Sequence, residues 1–233
     1  MLLSSKTVRE LVGRIKSIQG WDKVEEVIKR STVDPYWIVG GTVYRTLANI
    51  LHGTPIPPTI DVDVLVEGEP RPMPLDNLPY QWAHTGSSLK SHRTLARGSI
   101  KATPTFYGLQ SLGIFSLPKI DLIAAKDIME VGRKINKVKS TLLLTYFAVV
   151  PLDIQAIALD LTSECIMGRG ITAVINKTIG VNNSSLPYSH TIYLRDKLLS
   201  LNGFVTTSNS AAIHLCNCDA RMLFNFGCKC GGK

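Results

Sequence analysis

This 233-residue sequence predicts an α+β fold: a mixed sheet flanked by helices, with a small cysteine-rich appendage at its C-terminal end. Three observations carry that prediction. WIVGGTVYRTLANILHGTPIPPTIDVDVLVE, residues 37–67, reads as apolar strand, glycine pair, helix, loop and second strand. Lys119-Ile120-Asp121-Leu122-Ile123 sets a single carboxylate inside an apolar run. Elsewhere amphipathic stretches of helical period alternate with short apolar runs of strand length.

Residues 7–18 place Val8, Leu11, Val12, Ile15 and Ile18 on one helical face. Residues 21–29 continue with Val24, Val27 and Ile28 inward, after a break at Gly20. Asp34-Pro35 ends the helical pattern and leads into the first strand. Gly40 and Gly41 allow a sharp turn and close backbone approach to a ligand. The helix beginning near Thr42 and ending at Gly53 points its free N–H groups back at that turn. Pro55, Pro57 and Pro58 keep the following loop extended.

On the next strand, Asp61 and Asp63 are two residues apart, so both carboxylates face the same way, with Cα atoms roughly 6.5–7 Å apart. Two carboxylates beside a phosphate cradle suit Mg²⁺ and a nucleoside triphosphate. Residues 67–79, rich in proline and charge, read as a surface loop. Residues 80–100 resist assignment and carry Lys90, His92, Arg93 and Arg97, with Lys101 following. Basic side chains there suit a triphosphate or nucleic-acid backbone, though a solvated face is the commoner use of such charge. Residues 114–124 hold the Asp121 strand, and 125–138 a helix with Ile128, Val131 and Ile135 inward. Residues 142–150 and 154–161 read as further strands, 168–181 mixes helix and strand signals, and 186–201 contains a helix bearing Arg195 and Lys197.

The glycine pair, helix and alternating Asp61-Val62-Asp63 strand resemble the DNA polymerase β-like nucleotidyltransferase superfamily. The closest resemblance is to the head of tRNA CCA-adding enzymes and poly(A) polymerases, whose signature GGxVRDxLLG precedes a DxD. Here Gly40-Gly41-Thr42-Val43-Tyr44-Arg45 leads to Leu51-His52-Gly53 and then Asp61-Val62-Asp63, with Thr46 where the family has Asp. A second echo is Pro151-Leu152-Asp153 to Leu161, similar to RRDFTINALAYD; it keeps Asp153 and replaces both arginines. The resemblance spans roughly residues 36–165. It implies a catalytic domain over 1–165 and a C-terminal segment over 166–233.

The resemblance also implies roles. Asp61 and Asp63 hold two Mg²⁺ ions, and Asp121 completes the site as third carboxylate and candidate general base. Gly40, Gly41, Thr42 and Arg45 bind the triphosphate. The reaction is transfer of an NMP from an NTP to a hydroxyl with release of pyrophosphate. RNA or tRNA 3′ ends are one acceptor; a small molecule or a protein is another. A non-catalytic nucleotide- or nucleic-acid-binding module is the reading from a different class.

Four of the five cysteines fall at Cys216, Cys218, Cys228 and Cys230. Four thiolates so close in sequence suit a tetrahedral Zn²⁺, although C-x-C departs from the commoner C-x₂-C spacing. Disulfides and unligated thiols are the competing uses; Cys165 stands apart as a core residue. A net charge of +8 and a pI near 9.3 suit a polyanionic partner, though many soluble proteins are as basic. No apolar run nears the ~20 residues that span a bilayer. The charged N-terminus lacks a secretory apolar core. The expectation is a cytoplasmic protein without a membrane partner.

Overall fold

The computed structural model describes residues 3–57, 61–84, 100–104, 117–185, 195–196 and 203–207. The cysteine tail with its expected zinc ligands Cys216, Cys218, Cys228 and Cys230, the basic residues Lys90, His92, Arg93 and Arg97, and most of the 186–201 helix lie outside the described residues.

Two amphipathic helices, α1 (Ser5–Lys16) and α2 (Trp21–Ser31), open the chain. The Ser4 side chain caps α1 by accepting from Thr7 N, and Gly20 takes a positive φ between the two helices. β1 (Tyr36–Val39), α3 (Gly41–His52) and β2 (Asp61–Val66) follow. Gly53 ends α3 in the left-handed region, as its position in sequence anticipates. β3 (Tyr80–His84), β4 (Ile100–Pro104), β5 (Lys119–Ala124), α4 (Ala125–Lys134) and α5 (Leu142–Val149) come next. A 3₁₀ turn (Asp153–Gln155), β6 (Ala158–Asp160), β7 (Cys165–Met167), α6 (Gly170–Ile175), β8 (Thr178–Ile179) and β9 (Val205–Thr206) complete the described chain.

Seven strands form one mixed sheet in the order β3-β4-β5-β2-β1-β6-β7, in which β2 and β5 are parallel and the other neighbours antiparallel. The α+β class with a helix-flanked mixed sheet is therefore as the sequence predicts. β7 completes the seven-stranded sheet, while β8 pairs in parallel with β9 in a separate two-stranded sheet; Ile171, Ala173 and Val174 of α6 and Ile179 of β8 join the first core cluster. Among the described residues, no helix is long and apolar enough to cross a membrane.

Alternation along the strands divides the core in two. Ile38, Val62, Val64, Val66, Ile120, Leu122, Leu159 and Ile166 pack on one face with the apolar sides of α1, α2, α3 and α6. Val39, Leu65, Ile123 and Ala158 pack on the other with Ile128 of α4 and Leu143, Tyr146 and Val149 of α5. Asp61, Asp63 and Asp121 alternate onto this second face, beyond the end that Leu65 and Ile123 seal.

Two element expectations change. Residues 142–150, read as a strand, form helix α5. The run is apolar on every side, so its period does not discriminate strand from helix. Thr141 decides it by accepting from Leu144 N at 3.2 Å, and Pro151 follows the helix end. Residues 154–161, read as one strand, split into a 3₁₀ turn and the three-residue β6, because Asp153 folds back on the local backbone.

Candidate functional site

β1 ends at Val39, which lies opposite Asp63 across the antiparallel ladder. The chain must turn immediately from that point into α3, and Gly40 does so at φ +65° and ψ −138°, a conformation closed to residues with a Cβ. A Cβ at Gly40 would stand 2.7 Å from Asp63 Oδ2. Gly40 is thus set directly against the carboxylate, while Gly41 faces Arg45 and Tyr44. Residue 41 begins the helix, and its first N–H groups have no intrahelical acceptor. Thr42 ties this end of α3 to the carboxylate strand: its hydroxyl donates to the Asp61 carbonyl at 2.8 Å.

β5 runs parallel to β2 with Asp121 directly opposite Asp63, and Asp61 opposite Lys119. Partners in register share a face, so Asp63 and Asp121 project side by side and Asp61 stands one step outward, exposed. On the far side of β5, Lys101 is the register partner of Asp121. The three sequence-predicted carboxylates therefore occupy one end and one face of the sheet, with Gly40, Gly41, Thr42 and Arg45 beside them.

Two phenols unremarked in the sequence feel the charge of the site. Tyr44 and Tyr146 are buried, and each is held protonated well into the alkaline range. Burial is the main cause for both, with the charge of Asp63 adding to it. The charge of Asp63 thus acts on Tyr146, from α5, and on Tyr44, from α3. Tyr146 was hidden because residues 142–150 have no polar side to mark a helix face. Arg45, one turn into α3, lies with its guanidinium carbon 5.5 Å from the centroid of the Tyr44 ring. Its Nη1 is buried and has no hydrogen-bond partner among the described residues. Thr46, where the resembled family has Asp, turns inward and donates to the Thr42 carbonyl at 2.7 Å.

Asp153 is a structural tie. Its Oδ1 accepts from Ile154 N at 2.7 Å and Gly180 N at 2.8 Å. Burial nonetheless raises its pKa above the ordinary carboxylate value. Pro151 and Leu152 supply no cation ahead of it, but Arg169, distant in sequence, acts on Asp153 electrostatically. Arg195 pairs with its neighbour Asp196.

The donor set is all oxygen, which suits Mg²⁺ better than softer metals. Among the described residues, no three His, Cys, Asp or Glu side chains converge closely enough to form a metal-binding group by themselves. The chain matches no protein-family model and no characterised protein.

Proposed function

We propose that this protein is a metal-dependent nucleotidyltransferase, moving an NMP from an NTP to a hydroxyl with release of pyrophosphate. The observation that carries this reading is the seating of the Gly40 turn against Asp63, with Asp121 in register across β5. A phosphate cradle and a row of carboxylates at one strand end are what transfer of a phosphoryl-linked group to a hydroxyl needs. In this reading Asp61, Asp63 and Asp121 hold Mg²⁺, which when bound supplies charge neutralisation and lowers the acceptor hydroxyl's pKa.

The chain's own residues set the geometry. The N–H groups at the start of α3 receive phosphate oxygens, and the Thr42 bond to Asp61 fixes the distance between cradle and carboxylates. Arg45 Nη1, buried and unpartnered among the described residues, is a donor available to a phosphate. Asp121 accepts the proton of the attacking hydroxyl. Tyr146 and Tyr44, both buried, stay neutral and add no charge near Asp63. RNA is the proposed acceptor, in keeping with the net charge of +8.

Incubation with Mg²⁺, each labelled NTP in turn and bulk RNA tests the proposal. Label in RNA is expected. Label in protein or a small molecule moves the acceptor to the alternative class, and no transfer with any of the four NTPs defeats the activity. Asp61→Ala combined with Asp63→Ala is expected to abolish transfer in a protein that still folds, because Asp61 is exposed and Asp63 is only part-buried. Retained activity would remove these residues from the metal site.

A further inference from the structure

β5 begins at Lys119, in register with Asp61 across the parallel ladder. Both residues are exposed. Partners in register share a face, so Lys119 stands on the carboxylate face, with its Cα about 4.8 Å from that of Asp61 and about 7 Å from that of Asp121. Burial of Ile120 and Leu122 in the opposite core fixes this alternation. The chain entering β5 is held in place: the buried Tyr80 hydroxyl donates to the Pro118 carbonyl at 2.8 Å, and Leu117 packs against Gly20. The lysine is thus carried on a fixed strand end.

Strand order decides which substrate this cation faces. In the sequence of neighbours β5-β2-β1, the Gly40 turn follows β1 on one side of β2, and Lys119 lies on the other, about 10 Å or two strand spacings from β1. Asp61 and Asp63 run between them. A polyphosphate seated at the start of α3 meets the carboxylates from the β1 side. In-line displacement puts the attacking and leaving oxygens on opposite sides of phosphorus, so the attacking hydroxyl comes from the β5 side, where Asp121 is level with Asp63. Lys119 belongs to that second side. It forms no ion pair among the described residues. By contrast, Arg14, Lys29, Arg30 and Lys134 each pair with a glutamate one helical turn away, and Lys126, just past the far end of β5, pairs with Glu69.

We propose that Lys119 is the acceptor-side cation of the site and binds the last phosphodiester of a nucleic-acid strand whose terminal hydroxyl lies at Asp121. The linkage before a terminal hydroxyl is one sugar away, a span that a lysine side chain covers. Lysine acts there as a point charge, without base preference. A neutral small-molecule acceptor would leave this ammonium without a partner. The inference rests on the nucleotidyl-transfer reading for the position of the acceptor hydroxyl.

The full chain is tested with Mg²⁺ and no NTP, so that nothing turns over. Two probes are read by anisotropy: a 5′-labelled single-stranded RNA with a free 3′-hydroxyl, and the same strand with an uncharged methylphosphonate as its last linkage. A third, inorganic tripolyphosphate, is read by calorimetry. Lys119→Gln, at an exposed position, is expected to melt as wild type does. It should bind the RNA about three- to tenfold more weakly, the loss of one charge-assisted contact, with a salt slope shallower by about 0.7. It should bind tripolyphosphate as wild type does. The methylphosphonate should weaken wild type by the same factor and leave Lys119→Gln unaffected, while Lys119→Arg, which keeps the charge, should still discriminate between the strands. Lys6→Gln, on α1 behind the opposite face of the sheet, should bind all three probes normally. Equal binding of the two strands by wild type overturns the proposal. So does a Lys119→Gln loss confined to tripolyphosphate, which gives the lysine to the nucleotide, and so does a wild type that does not bind the RNA. A protein that shows the Lys119 effect yet incorporates no NTP would refute the activity and leave this contact standing.

Discussion

Gly40 and Gly53 flank the same helix at nearly the same φ, +65° and +67°, yet a methyl group at each should do different things. Gly53 sits in the left-handed helical region, at ψ 18°, with nothing within 4 Å of an added Cβ. Gly53→Ala should cost only the backbone term, about 1 kcal/mol, and lower Tm by about 2–4 °C. Gly40, at ψ −138°, is in a region that essentially only glycine occupies, worth about 1–3 kcal/mol for any other residue. Its added Cβ would also stand 2.7 Å from Asp63 Oδ2, so the carboxylate must move. Gly40→Ala is therefore expected to lower Tm by about 2–12 °C and to eliminate transfer even at temperatures where the protein is fully folded. The assay pairs a thermal melt with Mg²⁺-dependent NMP incorporation from labelled NTP for both variants. Wild-type incorporation by folded Gly40→Ala would refute the reasoning, because the cradle and Asp63 would then be independent. Equal loss of activity in both variants would also refute it, since Gly53 touches neither.

Three further outcomes are expected. Thr42→Val keeps the shape of a buried side chain and removes the bond to the Asp61 carbonyl; it should cost about 1 kcal/mol in denaturant unfolding and reduce transfer by loosening cradle from carboxylates. Asp153→Ala strands two backbone N–H groups, so about 2 kcal/mol and a Tm fall of about 4–8 °C should be seen by calorimetry. Asp127 is buried at the start of α4, with Oδ2 unpartnered among the described residues, and burial raises its folded-state pKa above the unfolded value. The native state then binds more protons than the unfolded one, so its contribution is greatest below the ordinary carboxylate value and is lost as pH rises through the raised value. Urea unfolding across pH 4–7 should show wild type losing stability relative to Asp127→Asn, and parallel curves would contradict the assignment.

Much of the site was legible in sequence because its constraints are local. A glycine pair between an apolar run and a helix announces a tight turn, and the Asp-x-Asp spacing puts two carboxylates on one face whatever the sheet does. The amphipathic helices α1, α2 and α4 declared themselves by their single apolar stripe. α5 did not, because a helix buried among apolar neighbours has no polar side to mark its period.

What only the tertiary structure decided is adjacency. Sequence spacing fixed that Asp61 and Asp63 face together. It did not fix that β5 lies parallel to β2 with Asp121 level with Asp63, nor that Gly40 is pressed against that same side chain. Nor did it reveal that Tyr146, more than 80 residues away, feels the charge of Asp63. Side-chain period is a property of one strand or helix and can be read along it. Which strands become neighbours, and in what register, follows from burying both faces of the whole sheet at once, and no single segment carries that information.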